Sequence, residues 1–187
     1  MPKGQEIVRY YMPIWPVPES PSRDIPCEGP GSFWEDRGDR HHCGVDIYAP
    51  VGSRVVVVEA GEIISTAIAT SPHLERYWNR TFTLVVRTHS GLYCRYAELA
   101  DLGVSDGDTV KEGILIGHIG EVINPARVDG CAPLYIQRLK RAGHPSMLHF
   151  ELYSTLPSAS RCYYGGNWFC AKKPKGLLDP TVFLQER

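Results

Sequence analysis

Short runs of β-branched and aromatic residues, broken at close intervals by glycine, set the pattern of apolar and polar positions along this chain. Arg54-Val55-Val56-Val57-Val58-Glu59 is brief and β-branched, and Ala60-Gly61-Glu62 turns it into Ile63-Ile64. Thr81 to Thr88 and Leu92 to Leu99 read as two strands, with His89-Ser90-Gly91 as their hairpin loop. Val104 to Gly113 carries glycine-marked turns into Ile114 to Ile119, and Met147 to Tyr153 is the last core strand. Between them, Glu121 to Ser146 is less regular, with Leu134 to Arg141 predicting a short helix. A segment of that length in a compact domain is functional or mobile rather than an idle connection, and it is read as one wall of a groove.

Residues 1–40 break this pattern: they are rich in proline, glycine and charge, with an aromatic island from Tyr10 to Pro16 that pins such a wrap to the surface. The expectation is a mainly β fold. It is a compact antiparallel sandwich or barrel-like domain over 41–187, one globular unit with at most one or two short helices, behind the irregular 1–40 segment. No solenoid period, low-complexity tract or internal linker divides it.

Composition changes this picture little. At 187 residues the chain is long enough for one sizeable core, and 18 glycines with 15 prolines favour turns over long helices. A net charge of -1 gives no global pull toward nucleic acid, so no such partner is expected. No apolar stretch reaches the roughly 20 residues of a membrane span. Pro13, Pro16 and Pro18 interrupt the first residues, which do not read as a signal peptide. The six cysteines contain no C-x-x-C pair, which argues against a zinc knuckle. Gly165-Gly166 could turn a hairpin that brings Cys162 and Cys170 together, but an even cysteine count without a known compartment favours free, partly buried thiols.

The chemistry concentrates in two places. His41-His42-Cys43-Gly44-Val45-Asp46 offers imidazole, thiol and carboxylate within six residues. In an extended strand, positions four apart stand about 13 Å from each other. His42 and Asp46 therefore share a metal only if the chain bends, and Gly44 makes a bend cheap. In Met147-Leu148-His149-Phe150-Glu151-Leu152, period-two alternation turns Leu148, Phe150 and Leu152 to the core and Met147, His149 and Glu151 to the other face. Two readings follow for His149: a third metal ligand, or a hydrogen-bonded core histidine. Cys43 should point away from a His42/Asp46 site.

In order along the chain, these segments resemble the lysostaphin/LytM-type zinc endopeptidases, which cut peptide cross-links in bacterial cell walls. The family's H-x-G-x-D-[IL] motif and Ala-Pro-x-Gly turn are matched by His42-Cys43-Gly44-Val45-Asp46-Ile47 and Ala49-Pro50-Val51-Gly52. Gly61-Glu62-Ile63, Tyr96-Ala97-Glu98-Leu99, Gly107 to Gly113 with Ile116-Gly117, Met147 to Glu151 and Leu178-Asp179-Pro180 follow in the family's order. Ile14-Trp15-Pro16-Val17 is similar to its opening strand. The resemblance implies a duplicated-hybrid-motif fold and one zinc ion on His42, Asp46 and His149. It also implies a peptidoglycan or peptide substrate, and a cell-envelope or extracellular setting.

The pattern departs from the family where its two further histidines stand: Met147 and Glu98 occupy those positions. Met147 neither moves a proton nor donates a hydrogen bond. Glu98 is a credible general base beside an acidified water, as in other zinc proteases. An oxyanion stabiliser is then needed, and His144, His41 and Tyr96 are the candidates. Glu151, on the face of His149, either orients that imidazole or pairs with a cation. The expected function is peptide-bond hydrolysis with Glu98 as base. The alternative is an inactive zinc-binding module holding a cell-wall peptide, glycan or protein partner in the same groove. His73, His89 and His118, and the sequon Asn79-Arg80-Thr81, receive no role.

Overall fold

The structure, a computed structural model, describes residues 14–143, 146–157 and 161–185. In chain order the elements are β1 (His41–His42), β2 (Val45–Tyr48), β3 (Arg54–Val56), β4 (Gly61–Thr70), β5 (Thr81–Thr88), β6 (Tyr93–Leu99), β7 (Thr109–Val110) and β8 (Leu115–His118). There follow α1 (Leu134–Ala142), β9 (Met147–Tyr153), β10 (Tyr163–Tyr164), β11 (Asn167–Trp168), β12 (Leu177–Leu178) and α2 (Pro180–Gln185). The fold is mainly β and antiparallel, with two short helices.

A seven-stranded sheet runs β12-β9-β6-β5-β4-β7, and β2 also pairs with β9. A three-stranded sheet, β1-β11-β10, and the pair β3-β8 complete the ladders. The hairpin read at His89-Ser90-Gly91 joins β5 to β6, and β9 has the bounds its alternation suggested. β4 extends to Thr70, well past Ile63-Ile64, because eight of its residues pair with β5 although its outer half is only weakly apolar.

β9 is buried along its whole length. Leu148, Phe150 and Leu152 enter the main core with Val45, Ile47, Leu84 and Tyr96, while Met147, His149 and Glu151 face the other side. Trp15 and Val17 are buried in this same core, so the irregular N-terminal stretch anchors there, while Tyr10 to Pro13 lie outside the described residues. A second apolar cluster, including Trp78, Val122, Ile123 and Ile136, seats α1. No described helix is long and apolar enough to cross a membrane.

The expectation of free thiols at Cys162 and Cys170 is corrected: they form a disulfide, with Cα atoms 5.3 Å apart. Gly165 and Gly166, at φ 53° and 75°, turn β10 into β11 and bring the two cysteines opposite each other. The other four cysteines are free.

Tyr96 belongs to this core and not to a reaction centre: its hydroxyl accepts the Val58 backbone N–H at 3.0 Å, and its ring meets Phe150 edge-on. Tyr96→Phe leaves that buried N–H without an acceptor, so unfolding in urea should show a loss of about 1–3 kcal/mol. Equal midpoints for the two proteins would contradict the assignment.

Candidate metal centre

Three strands bring the sequence-predicted residues together. β2 pairs with β9 so that Asp46 lies opposite His149 and Tyr48 opposite Met147. β1 pairs with β11, and the chain turns at Cys43-Gly44 between β1 and β2, which carries His42 over Asp46. Gly44 is required there by close approach: a Cβ would lie 2.3 Å from the Phe150 carbonyl oxygen. His42 Nε2 stands 2.9 Å from His149 Nδ1 and 3.2 Å from Asp46 Oδ1, and His149 Nδ1 stands 3.0 Å from Asp46 Oδ1. All three residues are buried.

The outer nitrogens decide what this triangle can do. His42 Nδ1 lies 2.8 Å from the Ser32 carbonyl, which only accepts, so that nitrogen carries the proton. His149 Nε2 lies 2.8 Å from Glu151 Oε1 and donates to it for the same reason. In its neutral form each ring would therefore turn a lone pair toward the Asp46 carboxylate. Four tetrahedral ligands about 2.1 Å from zinc stand about 3.4 Å apart, and the observed edges approach that spacing. The donor set fits a divalent cation.

The charges of the residues agree. Burial raises Asp46, but His42 and His149 outweigh it and hold the carboxyl well below its ordinary value. Burial lowers His149, but the Asp46 and Glu151 carboxylates carry it up to about 10. Burial also keeps His42 low and its ring neutral, against the pull of Asp46. A proton on His149 thus balances the centre in the metal-free protein, and a bound cation would release it.

Glu151 is fully buried and saturated. Its Oε1 accepts from His149 and from the Tyr163 hydroxyl at 2.8 Å; its Oε2 accepts from the Tyr153 hydroxyl at 2.6 Å and pairs with Arg95 at 3.2 Å. Against burial, these contacts hold its carboxyl down at about 2.

A cavity of roughly 350 Å³ opens on the triad, lined also by Glu98, Met147, Tyr48 and Arg37. Its far wall is α1, with Tyr135, Ile136 and Leu139, so the 121–146 segment contributes the wall read from its length. Glu98 reaches the cavity through a β-bulge. Thr83 pairs with Ala97 and Phe82 with Leu99, which leaves Glu98 as the extra residue, at φ 70°. Strict alternation would have sent it into the core beside Tyr96. Its Oε2 is buried without a hydrogen-bond partner among the described residues. Burial first, then the Asp46 charge, pushes its carboxyl up to about 8.

Other sequence candidates fall elsewhere. His41 stacks on Trp34 at 4.5 Å and does not line the cavity. His144 lies outside the described residues. Cys43 packs away from the triad, with Tyr153, Trp168 and Leu177. Sequence reasoning missed Arg37, half-hidden in the charged stretch Glu35 to Arg40, and Asn167, which holds it at 3.0 Å. Neither carries a periodic or motif signal.

The model of Peptidase family M23 matches residues 40–156. A comparison with curated protein sequences finds no match. Among solved structures, a protein described as peptidase M23 from Pseudomonas aeruginosa is 18% identical with a TM-score of 0.51, over 94% of this chain and 51% of that one. The catalytic domain of the antimicrobial peptidase lysostaphin from Staphylococcus simulans is 19% identical, TM-score 0.47, over 78% of this chain and 80% of that one. A zinc containing peptidase from Vibrio cholerae is 24% identical, TM-score 0.47, over 74% of this chain and 35% of that one. The Pseudomonas likeness is one of fold, and this chain spans about half of that protein. Because the family model covers more than half of its length, in the region that carries the triad, the chain belongs to peptidase family M23.

Proposed function

We propose that this chain is a zinc metallopeptidase that hydrolyses peptide bonds of peptidoglycan cross-links, with one zinc ion on His42, Asp46 and His149 and with Glu98 as general base. The observation that supports it is the convergence of two imidazole nitrogens and a carboxylate oxygen within 3.2 Å, beside a cavity lined by Glu98, whose Oε2 has no hydrogen-bond partner among the described residues. When bound, zinc polarises an amide carbonyl and lowers the pKa of water toward about 7. Glu98 takes a proton from the attacking water, whose oxygen bonds to the carbonyl carbon while the C=O pair moves onto oxygen. That pair re-forms the carbonyl as the C–N bond breaks, and the proton held by Glu98 passes to the leaving nitrogen. Glu151, by accepting from His149 Nε2, would leave Nδ1 to hold the ion. The family supports the peptidoglycan substrate and a cell-envelope or extracellular setting, which suits a disulfide-bonded chain.

Wild type should hold one zinc per chain by atomic emission and release peptide from purified peptidoglycan. Glu98→Gln should keep the zinc and lose about 10²–10⁴-fold in rate. Zinc bound in both proteins with no cleavage by either selects the second reading, a binding module for cell-wall peptide, glycan or a protein partner.

Glu151→Gln should weaken zinc binding about 10–100-fold in a chelator competition. Unchanged affinity would mean that Glu151 serves only to pair with Arg95.

The metal-stripped protein should also show the Glu98 shift. Its carboxyl, raised to about 8 in the fold, adds stability that is complete below its ordinary value near 4.5 and is lost as pH rises through 8. Glu98→Gln does not titrate, so its Tm should exceed that of wild type by several degrees at pH 9, the gap closing toward pH 4.5. Parallel Tm curves would contradict the shift.

A further inference from the structure

A hydrolase of this kind needs a donor for the negative oxygen that forms when water adds to the amide carbon. Met147 stands where the resemblance implies a histidine and donates nothing. Tyr96 is committed to the core, and His41 is stacked outside the cavity. We propose that Arg37 fills this role, its guanidinium donating to the carbonyl oxygen of the scissile amide as that oxygen becomes an alkoxide. The proposal rests on the hydrolase reading above.

Arg37 is anchored by residues distant from one another. Its Nε donates to Glu35 Oε2 at 3.0 Å, its Nη1 donates to Asn167 Oδ1 at 3.0 Å, and its Cζ lies over the Tyr135 ring, 4.8 Å from the ring centre. Nη2 stands 3.7 Å from Asp46 Oδ2, outside hydrogen-bond reach, so it neighbours a ligand carboxylate without being consumed by it. The side chain is 9% exposed and lines the cavity together with the triad and Glu98. A guanidinium has five N–H groups, and the anchoring bonds use two. What remains is a positive donor, oriented before the reaction and shielded from water. Such a group favours an alkoxide over a neutral carbonyl, because hydrogen bonds to an ion are about twice as strong as neutral ones. Tyr48 and Tyr135 are neutral hydroxyl donors among the lining residues, and the Tyr48 hydroxyl lies against Gly31. The cation is the stronger partner for a developing negative charge.

An Arg37 that only steadied Asp46 would act through the metal. The test therefore separates ion loading from donation. Zinc content, fold and peptidoglycan cleavage are measured for wild type, Arg37→Met, Arg37→Lys and Tyr48→Phe. Binding of tetraglycine and of its phosphinate analogue, whose charged tetrahedral group stands in for the alkoxide, is measured alongside. The expected result is unchanged zinc and Tm in Arg37→Met, with kcat lower by about 10²–10³ and KM within about threefold. Phosphinate affinity should fall by a similar factor while tetraglycine affinity holds, and added methylguanidine should restore part of the rate. Arg37→Lys should lie between the two, and Tyr48→Phe should lose less than tenfold.

Loss of zinc in Arg37→Met in step with the rate overturns the proposal in favour of support for Asp46. So does wild-type kcat in a zinc-loaded Arg37→Met, or a wild-type protein that binds the phosphinate no better than tetraglycine. A zinc-loaded wild type that cleaves nothing removes the hydrolase reading itself, and the proposal with it.

Discussion

Two imidazole lone pairs and a carboxylate oxygen, all within 3.2 Å and all buried, repel one another unless positive charge lies among them. Much of the fold near the cavity holds them in that arrangement. The ladder between β2 and β9 sets Asp46 opposite His149, and the ladder between β1 and β11 sets His42 above both. Two acceptors behind the rings, the Ser32 carbonyl and the Glu151 carboxylate, take the ring protons away from the centre. Without either acceptor, a ring would be free to present N–H where a lone pair is needed.

The hairpin of β10 and β11 supplies much of that backing. Tyr163 donates to Glu151, Asn167 holds Arg37, the Gly166 carbonyl accepts from the Cys43 N–H, and the Cys162–Cys170 bond closes the base. Gly166 admits nothing larger, since a Cβ there would lie 2.7 Å from His149 Nε2. The buried pair of Arg95 and Glu151 is costly to desolvate. It is tolerated because Glu151 also accepts from two tyrosines and a histidine. The buttress is thus polar but fully bonded, and it sits against the face of β9 opposite the core.

Alternation along strands made much of this legible in advance. His149 could be assigned to the face of Glu151 because period two admits no other arrangement, and ordered motifs tied it to His42 and Asp46. What escaped is non-periodic. Arg37 lies in an irregular charged stretch where nothing distinguishes one arginine from another. Gly44 was read as freedom to bend, whereas its reason is the Phe150 carbonyl on a strand about 100 residues away. The disulfide depends on which way two glycines turn, and the cysteine count carries no information about that. The bulge at Glu98 escaped because neither glycine nor asparagine marks it.

That bulge bears on how the two departures from the family should be weighed. A glutamate in left-handed backbone costs on the order of 1–3 kcal/mol, and a buried Oε2 with no partner among the described residues adds to it. Random loss of a catalytic histidine would more easily leave a residue that relaxes such strain, as asparagine or glycine does. A glutamate is also a weak base in water, near 4.5, two units below an ordinary histidine. In the metal-free protein burial lifts Glu98 to about 8, so the carboxyl is mostly protonated at neutral pH, and a cation on the triad would bring it down and free it to accept a proton. The same burial that penalises the carboxylate makes it, once ionised, a stronger base than a glutamate in water, which is what the proposed role asks of it. Met147 follows a different logic, since no environment makes a thioether a donor. On the hydrolase reading proposed above, the donor has to come from elsewhere on the cavity wall, where Arg37 is anchored by Glu35, Asn167 and Tyr135.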